Sequence, residues 1–150
     1  MKKFVLFFSL NLACIFFLYG QNDAPSVQQR EAIIFLIDQY SEAREKRDTV
    51  LLKAILTTHV DQLVSTGEWR NGIVTAIQGM QKSSAESPGT RTLRIHKIRM
   101  LNATTAIVDC KYEIQNTDSS IRRMWSTFIV VDEKKTWKIS AIRNMLPSEQ

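Results

Sequence analysis

The feature that most constrains this chain is a pair of β-rich runs near its end, residues 123–131 and 136–147, joined by the polar turn Asp132-Glu133-Lys134-Lys135. Both runs carry large residues on both faces. In the first, Trp125, Thr127, Ile129 and Val131 share one face, and Met124, Phe128 and Val130 share the other. A strand pair apolar on both sides must be covered on both sides, by helices, a ligand or a second subunit.

The segments upstream supply cover for one side. Ser26 and Gln29 have the spacing of a capping box. Ile33, Leu36, Ile37, Tyr40 and Ala43 follow at three- and four-residue intervals, which predicts a helix with one apolar face. Glu42, Arg44, Glu45, Lys46 and Arg47 read as its solvated far end. Asp48 is placed to cap a second, shorter helix carrying Leu51, Leu52, Ile55 and Leu56. Residues 60–65 predict a short strand, Thr66-Gly67-Glu68 a turn, and Trp69-Arg70 a return strand. A third helix is expected from about Gly72, with Ile73, Ile77 and Met80 inward and Pro88-Gly89 ending it; Gly79 costs that helix about 1 kcal/mol relative to alanine. Residues 90–101 form a long strand whose apolar parity changes near His96-Lys97, the mark of a bulge. Residues 105–115 alternate cleanly. Three helices with a small hairpin before the third, then a four-strand antiparallel meander, make an α+β domain.

The N-terminus reads separately. Met1-Lys2-Lys3 precedes an apolar run that ends at Gly20, the pattern of an export signal cleaved near that residue; an uncleaved anchor and an acylated Cys14 are the alternatives. The division expected is a signal peptide over 1–20, a flexible lead over 21–28 and a domain over 29–147, with a periplasmic or extracellular destination. Cleavage takes Lys2 and Lys3 and no acid, so the formal charge falls from +5 to +3. That balance argues against nucleic acid as a partner, and the mature chain is expected to make no stable membrane insertion. Cys110 remains as the single cysteine, in an alternating strand where a buried structural thiol is expected.

The element order, the run Val60-Asp61-Gln62-Leu63-Val64-Ser65-Thr66-Gly67-Glu68-Trp69-Arg70-Asn71-Gly72 before the third helix, and Arg143-Asn144-Met145-Leu146-Pro147 at the close resemble the nuclear transport factor 2-like superfamily. Within it the chain is similar to the SnoaL-like, SgcJ/EcaC-type branch. The resemblance spans residues 29–147. It implies a cone, in which a curved, mainly antiparallel sheet of cystatin-like type wraps a helix around an interior pocket. It leaves activity open, because members include isomerases, cyclases, dehydratases and binding modules. Ketosteroid isomerases of this superfamily use a carboxylate base with a tyrosine and a protonated aspartate as oxyanion hole. Against that pattern Tyr40 matches the tyrosine, while the base position falls at Val64 and the acid position at Ser126. Asp61 is three residues from the base position.

The expected site is therefore a pocket bounded by Tyr40, Trp69, Tyr112, Trp125 and Arg143 that binds a small, largely apolar or anionic molecule. Asp61 as base and Tyr40 as oxyanion donor are the catalytic candidates if the chain is an enzyme of isomerase, dehydratase or cyclase type. Arg143 shares parity with Trp137, Ile139 and Ala141; buried there, it needs Asp61, Asp109 or an anionic ligand as partner. His59 and His96 read as surface or capping residues, and Arg91, Arg94, Lys97 and Arg99 as a basic solvated edge. No metal-ligand spacing, nucleotide-binding glycine motif or nucleophile elbow is present, so no cofactor and no metal are expected. A homodimer is expected through the outer face of the sheet, where Trp125, Ile129 and Val131 lack cover.

Overall fold

A computed structural model describes residues 23–147; the expected signal peptide over 1–20 lies outside the described residues, as do the first two residues of the expected lead. Helix α1 (Val27–Lys46) opens on the capping box, with Gln29 N donating to Ser26 Oγ and Ser26 N to Gln29 Oε1. Its buried face holds Ile33, Leu36, Ile37, Tyr40 and Ala43, as the spacing predicts, and also Arg44. Helix α2 (Thr49–Ile55) is capped by Asp48, whose carboxylate accepts from the amides of Val50 and Leu51. Strand β1 (Leu56–Leu63) follows at once, then β2 (Trp69–Asn71), α3 (Ile73–Glu86), β3 (Gly89–Asn102), β4 (Thr105–Asn116), β5 (Ile121–Glu133) and β6 (Thr136–Met145).

All six strands join one sheet in the order β2-β1-β6-β5-β4-β3. The meander from β3 to β6 is antiparallel throughout, and β1 adds to β6 in parallel. That parallel pairing moves the end of α2. Leu56, read from sequence as helical, takes extended φ and ψ of −97° and 147° and pairs with Ile139. Ladder bonds to a strand about eighty residues away outweigh the weak preference of a short helix for one more turn. Val64 and Ser65, expected in the strand, instead belong to the turn before β2, where Gly67 N donates to Val64 O.

The helices cover one face of the sheet. Phe128, Val130, Val108, Ala106, Ile139 and Ile142 present that face to α1, and all are fully buried. Phe128 meets the Tyr40 ring edge-on, with centroids 5.2 Å apart. Cys110 lies in the same core, where burial pushes its thiol up to about 12 and keeps it in the unreactive protonated form.

Register shifts interrupt the ladders at four points, and two of them bear on the strand faces expected from sequence. One falls between Ile95 and Lys97, as the parity change in the sequence indicates. The other lies in β6: Ile129 pairs with Ala141 and Val130 with Ile139, leaving Ser140 as the extra residue. An extra residue reverses every later side chain in a strand. Ile139 thus faces the helices, whereas Ala141 and Arg143 face away.

Candidate functional site

Strand register, together with the second bulge, divides the expected pocket. Tyr40 and Tyr112 face the interior of the cone. Arg143 lies on the outer face, where it donates to Asp61 Oδ1 at 2.6 Å and stacks on Trp69 with 4.7 Å from the guanidinium carbon to the ring centroid. Trp125 is on that face too, beside His96 at 5.3 Å and beneath the Lys111 ammonium at 5.9 Å. The sheet stands between these residues and Tyr40. The pocket of Tyr40, Trp69, Tyr112, Trp125 and Arg143 is therefore not one cavity, and Asp61 cannot serve with Tyr40 on one ligand. The parity argument that placed Arg143 with Ile139 holds only for an unbulged strand. Of the partners considered for Arg143, the structure selects Asp61; Asp109 instead accepts from Thr127 Oγ1 at 2.7 Å. His59 is exposed on β1.

Inside the cone is a cavity of about 60 Å³. Arginines from four elements line it: Arg44 of α1, Arg70 of β2, Arg91 of β3 and Arg122 of β5. Gln62, Tyr112, Ser83 and Asn144 add neutral polar groups, and Val64, Ile114 and Met124 apolar ones. None of the lining residues is an acid or a histidine. The isomerase pattern can now be read in space. Val64 lines the cavity at the base position, and Ser126, at the acid position, is buried and donates to Asn144 Oδ1 at 2.6 Å. Both positions face the right way and hold groups that cannot exchange a proton near neutral pH.

The arginines differ in how their charge is met. Arg70, 5 % exposed, is bonded to Glu68 at 2.8 Å and to Gln62; the bond from Arg70 holds the Glu68 carboxyl below its ordinary range. Arg44, 7 % exposed, donates only to neutral oxygens: the Tyr40 hydroxyl, the Met80 carbonyl, and the hydroxyls of Ser83 and Ser84. Burial opposes its charge and the Tyr40 and Tyr112 oxygens favour it, so the guanidinium stays charged. Arg91 donates to the Gly89 and Ser87 carbonyls, and its Nε is buried with no hydrogen-bond partner. Arg122 donates to Ser65 Oγ at 2.7 Å. Tyr112 lies close by, its phenol raised above its ordinary value by burial and thus kept as a donor.

Sequence reading missed this cluster because it took Arg44 and Arg91 for solvated surface. The signal was present. Arg44 follows Ile33, Ile37 and Tyr40 at helical spacing on the apolar face, Arg91 shares parity with Leu93 and Ile95, and Arg122 with Met124 and Phe128. Cations in register with core residues face inward.

Gly79, which reads as a weak point of α3, has a specific task. A methyl group there would overlap the Arg70 guanidinium, which lies across the helix. Gly79→Ala should therefore lower stability by roughly 1–3 kcal/mol in urea unfolding, through overpacking and a displaced buried cation. A gain near 1 kcal/mol, the ordinary result for a helical glycine, would show that Arg70 has room to move aside.

The chain has the nuclear transport factor 2-like, or cystatin-like, fold, an α+β cone. It is similar to a nuclear transport factor 2-like protein of unknown function from Shewanella oneidensis, with 20% identity over 77% of this chain and 98% of that one and a TM-score of 0.66. A cystatin-like domain of unknown function from Nostoc punctiforme aligns over 83% of this chain and 81% of its own, with 14% identity and a TM-score of 0.74. A putative calcium/calmodulin-dependent protein kinase II association domain from Xanthomonas campestris aligns over 85% and 96%, with 13% identity and a TM-score of 0.67. No family model and no curated protein sequence matches the chain.

Proposed function

We propose that this chain is an exported binding domain that holds a small molecule in its cone by an anionic group. The observation that carries the reading is Arg44, a buried guanidinium bonded only to neutral oxygens at the wall of a cavity. An unpaired buried cation costs several kcal/mol, and an anion entering the cavity removes that cost. Of the largely apolar or anionic ligand expected from sequence, this reading takes the anionic one. An enzyme of isomerase, dehydratase or cyclase type is the weaker reading, since no carboxylate or imidazole lines the cavity to move a proton.

Thermal unfolding with a panel of small acids, at matched ionic strength, tests this against their neutral amides. Ligand at about a hundred times its Kd adds about 2.7 kcal/mol, so the acids should raise Tm and the amides should not. Equal shifts from both sink the reading.

Two further parts of the proposal concern the whole chain. The outer sheet face, which carries Trp69 at 51 % exposed, Met145 at 48 % exposed and the half-buried Ile129, is the surface for a second copy. The basic head and apolar run before Gly20 support export, and residues 60–72 and 143–147 support the SnoaL-like branch. Native mass spectrometry of the protein from its own cells reads assembly and processing together. The expected mass is that of two chains, each lacking about the first twenty residues; a single, full-length chain contradicts both.

A further inference from the structure

Resting on the anion reading, we propose that the group held in the cone is a tetrahedral dianion, the phosphoryl group of a small phosphomonoester or phosphate itself. Three observations lead there. The first is charge. Among the described residues only Arg70 of the four lining arginines has a carboxylate on its guanidinium; the side chains of Arg44, Arg91 and Arg122 bond neutral oxygens, while the Glu45 carboxylate accepts from the Arg91 backbone amide at 3.4 Å. A monocarboxylate would offset one of these three cations, and a dianion offsets two.

The second is direction. The donors come from α1, β3 and β5, and the Tyr112 hydroxyl adds one from β4. A carboxylate accepts close to one plane. A phosphoryl group accepts around a tetrahedron, which suits donors arriving from different walls, and arginine is the side chain suited to it. The third is size. A cavity of about 60 Å³ is room for about two waters at ~30 Å³ each, which suits a compact anion rather than an extended one. Arg91 Nε, buried without a hydrogen-bond partner, leaves that guanidinium one bond short.

Isothermal titration of the full-length protein with inorganic phosphate, glycerol phosphate, sulfate and acetate, at matched ionic strength and pH 7, tests this. Phosphate and glycerol phosphate should bind at least tenfold more tightly than acetate, with sulfate tracking the dianions. Affinity for glycerol phosphate should fall as pH drops through about 6, where its second proton returns. Arg122→Gln and Arg91→Gln should each weaken phosphate at least tenfold while keeping the native circular dichroism spectrum. Lys97→Ala, on the exposed face of β3, should change nothing. A monoester bound more tightly than free phosphate identifies an organic phosphate, and the reverse order identifies the free anion; both support the proposal. Acetate binding as tightly as phosphate overturns the dianion and leaves the anion reading standing. No anion binding at millimolar concentration, by a folded protein, overturns both.

Discussion

Replacing Arg44 with methionine should abolish anion binding and leave the protein as stable as before, or more stable by up to about 2 kcal/mol. The guanidinium is buried, and among the described residues the charge has no carboxylate partner. Methionine fills similar volume with no charge to desolvate. The oxygens it leaves behind are a carbonyl and three hydroxyls, and Ser83 Oγ already donates to Met80 O at 3.1 Å. Urea unfolding and phosphate titration on the same preparation give both quantities. A variant destabilised by more than about 2 kcal/mol that still binds anions would make Arg44 a structural tie between α1 and α3. Retention of function with loss of fold is the opposite of what a binding residue shows.

Truncating Phe128 to alanine should cost about 3–5 kcal/mol. The ring is fully buried at the middle of β5, paired with Val108 on one side and Ile142 on the other, and it meets Tyr40 of α1 edge-on. Little around it can collapse, because its neighbours are fixed by the ladders of three strands. The expected fall in Tm is roughly 10–20 °C for a domain of this size. Phe35, 63 % exposed on α1, is the matched control; its truncation should stay within about 0.5 kcal/mol. Similar losses at both positions would mean that the α1 face against the sheet is not the main core.

Local pattern was enough for most of the elements. The α1 capping box, the Asp48 cap, the bulge near His96 and the alternation of β4 are all short-range features, fixed by residues within a turn or a strand of one another. The α+β class was legible for the same reason, since helices, hairpin and meander follow one another in order; the cone came only with the resemblance to the nuclear transport factor 2-like superfamily. The site was harder to read, because its members come from α1, β2, β3 and β5 and share no sequence spacing.

The sequence by itself determined which residues prefer helix or strand and which side of each element is apolar, since helical and strand periodicities are properties of neighbouring residues. On that basis it already held Arg44, Arg91 and Arg122 in register with core positions. Tertiary structure decided the rest. The parallel pairing of β1 with β6 is a choice between distant strands, and it drew Leu56 out of the helix. The bulge at Ser140 is absorbed by the ladder to β5, and it sent Arg143 to Asp61 on the outer face. Closure of the sheet around α1 then brought four arginines to one cavity, with a carboxylate on the guanidinium of Arg70 alone among the described residues. Whether a cation meets an acid, a neutral oxygen or an empty space depends on side chains that only the folded chain brings within reach.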